Sequence, residues 1–420
     1  MAQVTADVVG LQLERVRKKQ ILPNLFAWND VTLNEISVRE DVEQISSREM
    51  RIPINTSPGG NSGAFNPAGG SLGRGSAYKY DKAGITPIWS RHAVEINLDV
   101  EKQTDTKGEK AIVNIFNKET VNATKEFRFM HNAWLQTAGD GVMATITALP
   151  GANVFVCGNA PFYSQLLRKG QKYVVYDAAL AAPRGTVTVT TATHATNRVT
   201  MDGTPAGTIV TDVLVPEGLS GATPAWFFGI PYHHNDAATG TWQTFNRANE
   251  PDIRSNRVNA GNQALTTPVI RLLLGKIMQR QGMVNPKSLI AHQHPCQMAA
   301  YEELGVLISN IQKGSGNEAI DLLFGEQKMA GIRPRPDIQA ARNRIDFMSK
   351  ESWGIAESMP IDYVKDRHGN YFTRPTDVTD GAPVAATLFH LACARQYFTD
   401  NPASFGYVSD LAVPTGWDAM

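Results

Sequence analysis

Three side chains that could grip a soft cation stand at alternate positions in "AHQHPCQ": His292, His294 and Cys296. On a strand, alternate residues share a face, and imidazole beside thiolate suits zinc, with an open position left for an activated water. The His233-His234-Asp236 group could supply a fourth ligand, but nothing in the sequence joins the two segments. The competing reading is a strand leaving the core, with Pro295 opening the next helix. Gly69-Gly70-Ser71-Leu72-Gly73 matches the G-x-S-x-G elbow of serine hydrolases. That motif needs a strand before it and a helix after it; here it lies inside a glycine tract, where glycine density alone produces the match. Gly275-Lys276 is followed by Ile277, so no phosphate-cradling loop is formed, and Gly73-Arg74-Gly75 lacks the third glycine of a dinucleotide site. No pair of carboxylates stands out. The residues argue for neither an enzyme nor a cofactor.

The elements around these residues are more telling. "REMRIPIN" and "AYKYDKAGITPIWSRHAVEINLDV" read as strands, with Pro87 marking an edge or a break. Between them, seven of the twenty residues from Ser57 to Ser76 are glycine. Strands of roughly 17 residues at ~3.3 Å each would make a hairpin about 55 Å long. A globule of this size has a radius of gyration of about 22 Å, so a straight hairpin would outrun its own body. It would then be floppy or held by another chain. From Gly108 to Gly141, apolar or small residues fall at Ile112, Phe116, Ala123, Phe127, Met130, Trp134 and Ala138. This spacing predicts one buried stripe on a long helix, stopped by Gly139 and Gly141. The β-branched run 185–215 predicts a small antiparallel unit. "TTPVIRLLLGKIMQRQG" predicts a helix capped by Thr266 or Thr267, "KSLIAH" a buried strand, and "PCQMAAYEELG" a second helix. Strand-like runs close the chain. The fold class expected is α+β.

Totals narrow the function. The chain has 420 residues, 42% hydrophobic and 19% charged, enough to bury a large core. Forty basic residues balance forty acidic ones, which argues against a protein that grips nucleic acid by counterion release and removes a charge barrier to self-association. Cys157, Cys296 and Cys393 are scattered and odd in number, suiting a reducing compartment. The N-terminus lacks the pattern of a signal peptide, and no apolar run approaches the length of a membrane span. A cytosolic origin is expected. Arg15, Arg17, Lys18 and Lys19 form the wet side of a short amphipathic helix, or an arm lying against phosphate or a neighbouring subunit.

The order of parts resembles the major capsid protein of tailed bacteriophages, the Hong Kong 97-like fold, over nearly the whole chain from about residue 45. The stretch "NLDVEKQTDTKGEKAIVNIFNKETVNATKEFRFMHNAWLQTAGDG" is similar to the family's passage from E-loop strand into spine helix. "TWQTFNRANEPDIRSNRVNAG", "NPKSLIAHQHPCQMAAYEEL" and "NPASFGYVSDL" resemble its approach to the A-domain and its closing strand. The resemblance implies an N-terminal arm (1–50), an E-loop hairpin (51–104), and a P-domain (105–259) with a spine helix at 109–138 and the β-rich insertion 185–215. An A-domain (260–335) and closing strands shared by both domains (336–420) would follow. Phe65, Leu72, Arg74, Tyr78, Lys79, Tyr80 and Trp89 would touch a neighbouring subunit, and Ile112, Phe116, Phe127, Met130 and Trp134 would form the core of the spine helix.

The implied role is a shell subunit assembling with itself into hexamers and pentamers around double-stranded DNA, made in the host cytoplasm and ending in the virion. Portal and scaffolding proteins are the further partners that the resemblance implies, with a decoration protein as an optional third. Some members carry a long cleavable scaffolding segment; only about 50 residues precede the hairpin here, so a separate scaffold is expected. Lys79 and Lys82 lie in the hairpin, but the asparagine and glutamate needed for the crosslink seen in some members are not matched, so no crosslinking is predicted. The alternatives are an encapsulin-type compartment on the same fold, a zinc hydrolase built on His292, His294 and Cys296, and a monomeric binding module with a loose glycine loop.

Overall fold

The computed structural model describes residues 30–40, 42–46, 49–64, 73–97, 109–158, 164–219, 225–282, 288–312, 329, 331–376, 383–384, 386–414 and 417; side chains at 97, 109–118 and 304–312 are not described. The helix spans Glu109–Trp134, 26 residues, or about 39 Å at 1.5 Å per residue. It stops four residues short of the predicted Ala138 because the backbone of 228–230 claims its end. Ile230 N donates to Leu135 O at 2.7 Å, and Ala138 bridges to Phe228. Ala123, Phe127, Met130 and Trp134 are buried as the stripe predicts, but so are Phe129, His131, Asn132 and Ala133. The last two turns are therefore covered on all sides rather than along one stripe. Ile112 and Phe116 belong to the helix, and their side chains lie outside the described residues.

This helix lies on a sheet whose long central strand is Ala386–Thr399. Trp353–Tyr363 pairs along one edge of that strand, with Ser37–Val38 beyond it, and Ile88–Asn97 pairs along the other. The ring of Phe127 stacks on His92 at 6.0 Å. Trp134 stacks on Phe227 at 5.5 Å and meets Trp226 edge-on at 5.1 Å. Each fully buried side chain of this size contributes about 1.5–3 kcal/mol.

The β-rich part is larger than predicted. Six strands between Ala144 and Pro216 close into a barrel, the run 185–215 supplying only the second half. Its lining (Ile146, Phe155, Val175, Val187, Val199, Leu214) is continuous with the core under the long helix. A separate mixed sheet joins Asn256–Gln263, Gly406–Leu411, Ile345–Ser349, Leu289–Gln293 and Arg333–Pro336 in that order. Helices Thr267–Gln281 and Pro295–Gln312 accompany it, the former burying Ile270, Leu273, Leu274 and Ile277. Thr266 takes the cap position without a side-chain cap bond, and Pro268 sits in the first turn. No described helix is long and apolar enough to cross a membrane.

Candidate assembly surface

The described ends of the glycine tract extend a true hairpin. Glu49–Ser57 pairs antiparallel with Lys79–Ile85, from Met50 opposite Ile85 out to Ser57 opposite Lys79. The pairing continues to Gly60, whose N–H donates to Ser76 O at 2.7 Å. Close approach of the two strands requires glycine at 59, where an added Cβ would meet Tyr78 N at 2.5 Å. The hairpin is shorter than predicted, because the return run splits at Thr86-Pro87. Lys79–Ile85 stays with the hairpin, while Ile88–Asn97 crosses into the helix-bearing sheet. Nine residues of paired strand reach about 30 Å rather than 55 Å.

The root of the tongue is covered by its own chain, contrary to the expectation for a straight hairpin. Met50, Ile52 and Ile85 pack with Ala356 and Phe398, and Ala83 packs with Trp242, Phe245 and Ile253. Gly84 N donates to Thr244 Oγ1 at 3.2 Å, and Thr244 Oγ1 donates to Lys82 O at 3.2 Å. Beyond the root, residues 73 to 82 are exposed without interruption. Arg74, Tyr78, Lys79 and Tyr80 fall together on this run, with Tyr80 69% exposed and Lys79 reaching Glu250 at 3.7 Å. Trp89, 57% exposed, stands apart on the other sheet. Phe65 and Leu72 lie outside the described residues, as does Ser71 of the elbow motif.

His292, His294 and Cys296 turn to separate tasks. His292 is buried on the strand Leu289–Gln293, its Nδ1 2.9 Å from Thr32 Oγ1 and its Nε2 3.2 Å from Gln136 Oε1. Both nitrogens are engaged, one tying the mixed sheet to the short helix Val31–Glu35 and the other to the residues just past the end of the long helix. His294 Nδ1 accepts the Cys296 N–H at 3.2 Å, and Cys296 Sγ donates to Arg342 O at 3.5 Å. Among the described residues no group of three His, Cys, Asp or Glu side chains could hold a metal ion.

Several buried polar residues knit the parts together: His131 and Asn132, which the sequence reading did not single out, and His233, which it offered only as a possible metal ligand. His131 on the long helix lies 3.0 Å from Tyr397 Oη and 3.2 Å from Ser90 Oγ, so it joins two strands of the sheet. Asn132 Nδ2 donates to Asp337 and Gln339, and its side-chain Oδ1 accepts from Leu33 N. Trp242 Nε1 donates to His233 Nδ1 at 3.0 Å, while His233 Nε2 faces Tyr397 O at 3.3 Å. That arrangement uses a neutral ring fully, and burial pulls the His233 pKa down to about 3. Isolated histidines in apolar runs give no local signal of such pairing.

A chain of the cyanophage A-1(L) capsid asymmetric unit superposes on this one with a TM-score of 0.55 at 14% identity, covering 93% of this chain and 95% of that chain. The chain has a phage-capsid fold. Chains of the cyanophage P-SCSP1u capsid (TM-score 0.46, 10% identity, 94% of this chain and 91% of that one) and of an empty GTA particle capsid (TM-score 0.46, 11% identity, 94% and 100%) are also similar. No protein-family model and no curated relative matches the sequence.

Proposed function

We propose that this chain is the structural subunit of a tailed-bacteriophage capsid, self-assembling into a closed icosahedral shell around double-stranded DNA. The observation that carries the reading is a capsid fold spanning 93% of the chain whose tongue is sheltered only at its root. A run of ten exposed residues with two exposed tyrosines is a liability on a lone molecule and a contact on a lattice. The neutral charge balance fits a lining that lies against packed DNA without gluing itself to it. Portal and scaffolding chains would join as separate partners, assembly taking place in the host cytoplasm and the finished subunit residing in the virion. The protein would carry out no catalysis.

Electron microscopy and sedimentation of the purified chain, alone and with the phage's own assembly partners, test this. Closed shells of uniform size are the expected result. A monomer under every condition, with the tongue protected from proteolysis, would sink the reading. Nuclease-resistant double-stranded DNA in particles from infected cells would separate a virion from a cellular compartment built on the same fold.

A further inference from the structure

Between the long helix and the barrel, Gly139 and Gly141 take φ of 96° and 76°, in the left-handed region that favours glycine, and hold Asp140 between them. Both are crowded as well: a Cβ at 139 would meet the Phe228 ring at 3.2 Å, and one at 141 would meet Leu219 Cδ1 at 2.7 Å. The turn is therefore pinned. Its Asp140 lines a cavity of about 270 Å³ where the helix end meets the mixed sheet. Val142, Ile230, Pro231 and Ala341 give this cavity aliphatic walls, and Ala138, exposed, marks its opening. Two acids line it, and they differ. Asp346 is satisfied: its Oδ1 accepts from Arg344 Nε at 2.8 Å and Nη2 at 2.6 Å and lies 2.7 Å from His234 Nδ1. Asp140 Oδ1 accepts only the Val142 N–H at 3.0 Å, and among the described residues no cation pairs with the carboxylate. Burial pushes its pKa above the ordinary carboxylate value. A charge withdrawn from water without a partner is costly, and this one is kept beside a space that admits one.

We propose that this cavity binds a small aliphatic amine, its ammonium against Asp140 and its stem along the aliphatic walls. Three observations select this class of ligand. Arg344 and Asp346 cancel each other, so the charge of the lining is that of Asp140 alone and favours a cation over an anion. The other walls are largely carbon. A hard metal ion needs six or more oxygens around it, and among the described residues no group of three His, Cys, Asp or Glu side chains could hold a metal, whereas an alkyl stem is at home there. Finally, the volume lies just below the ~300–1,000 Å³ of sites for drug-sized ligands, which sets the occupant at a few carbons. A primary ammonium brings three donors, and Asp140 keeps one oxygen without a hydrogen bond to receive it. The position gives binding a consequence. One side of the cavity is the segment 136–142 with Ile230 and Pro231, and the other is Ala341, Arg344 and Asp346 at the start of the strand Ile345–Ser349. An occupant therefore joins the helix end to the mixed sheet, and a ligand that binds only the folded chain stabilises it by mass action.

Thermal unfolding of the full chain with added n-butylammonium chloride tests the site, against 1-butanol and sodium chloride at the same concentrations. The amine should raise Tm saturably, by about 2–3 °C at ten times its apparent Kd, and the alcohol and the salt should not. Asp140→Asn keeps an oxygen for the Val142 N–H and removes only the charge, so it should fold with a Tm no lower than the parent's and lose the response to the amine. Should that variant fail to fold, Ala138→Leu carries the same test, because it obstructs the opening while the carboxylate remains, and it too should lose the response. No saturable rise in the unmodified chain, an equal rise with 1-butanol, or a full response in either folded variant would overturn the site. None of these outcomes bears on whether the chain forms shells.

Discussion

Trp134→Asp is the sharpest perturbation of the body that carries the tongue. Trp134 is 6% exposed, stacked on Phe227 at 5.5 Å and edge-on to Trp226 at 5.1 Å. Removing a buried tryptophan costs about 3–5 kcal/mol through lost burial and the space left behind. The aspartate that replaces it has no cation to meet in that aromatic setting, so it would be held neutral. Protonating a carboxyl of ordinary pKa at neutral pH costs roughly 4 kcal/mol. The sum, about 7–9 kcal/mol, is comparable to the whole stability of a typical fold, about 5–15 kcal/mol. Urea unfolding of dispersed subunits, followed by far-ultraviolet circular dichroism, is the assay. Trp134→Asp should be unfolded or aggregated before denaturant is added. Trp134→Phe is the control. The Trp134 indole N–H has no acceptor among the described residues, so removing it relieves an unsatisfied donor and offsets part of the lost volume; a net cost of about 1 kcal/mol follows. A soluble, helical Trp134→Asp subunit with the parent's urea midpoint would refute the placement of this helix face in the core.

Deleting Gly59 to Gly75 should leave a foldable subunit, since the buried root of the hairpin is retained, but one unable to close shells; particles of normal size by electron microscopy would contradict this. Gly229→Ala should destabilise by about 2–4 kcal/mol, because an added Cβ would fall 2.3 Å from the carbonyls of Leu135 and Thr137; an unchanged urea midpoint would disprove the tight crossing. His233 is held neutral by burial, its pKa at about 3 in the fold against an ordinary 6.5. The unfolded chain therefore takes up the proton first: stability is intact above pH 6.5 and falls as pH drops towards 3, by about 2 kcal/mol at pH 5. Urea midpoints at pH 7.5 and 5 should show this loss, and His233→Gln should reduce its slope.

Local pattern carried some of this structure and distance hid the rest. The steps among Ala123, Phe127, Met130 and Trp134 announce a helix face, and glycine crowding between two β-rich runs announces the tongue, because both signals lie within a few dozen residues. The destination of Ile88–Asn97 is not local: it pairs with residues almost 300 positions away, and Pro87 signals only that the run breaks. Closure of the barrel is equally hidden, since Ala144–Gly151, Val154–Gly158 and Lys172–Tyr176 are short and their pairing with 183–216 shows only in space. The residues predicted to touch a neighbour divide the same way. Arg74, Tyr78, Lys79 and Tyr80 share a run that sequence exposes, whereas the place of Trp89 on the helix-bearing sheet becomes visible only once its partner strand is known.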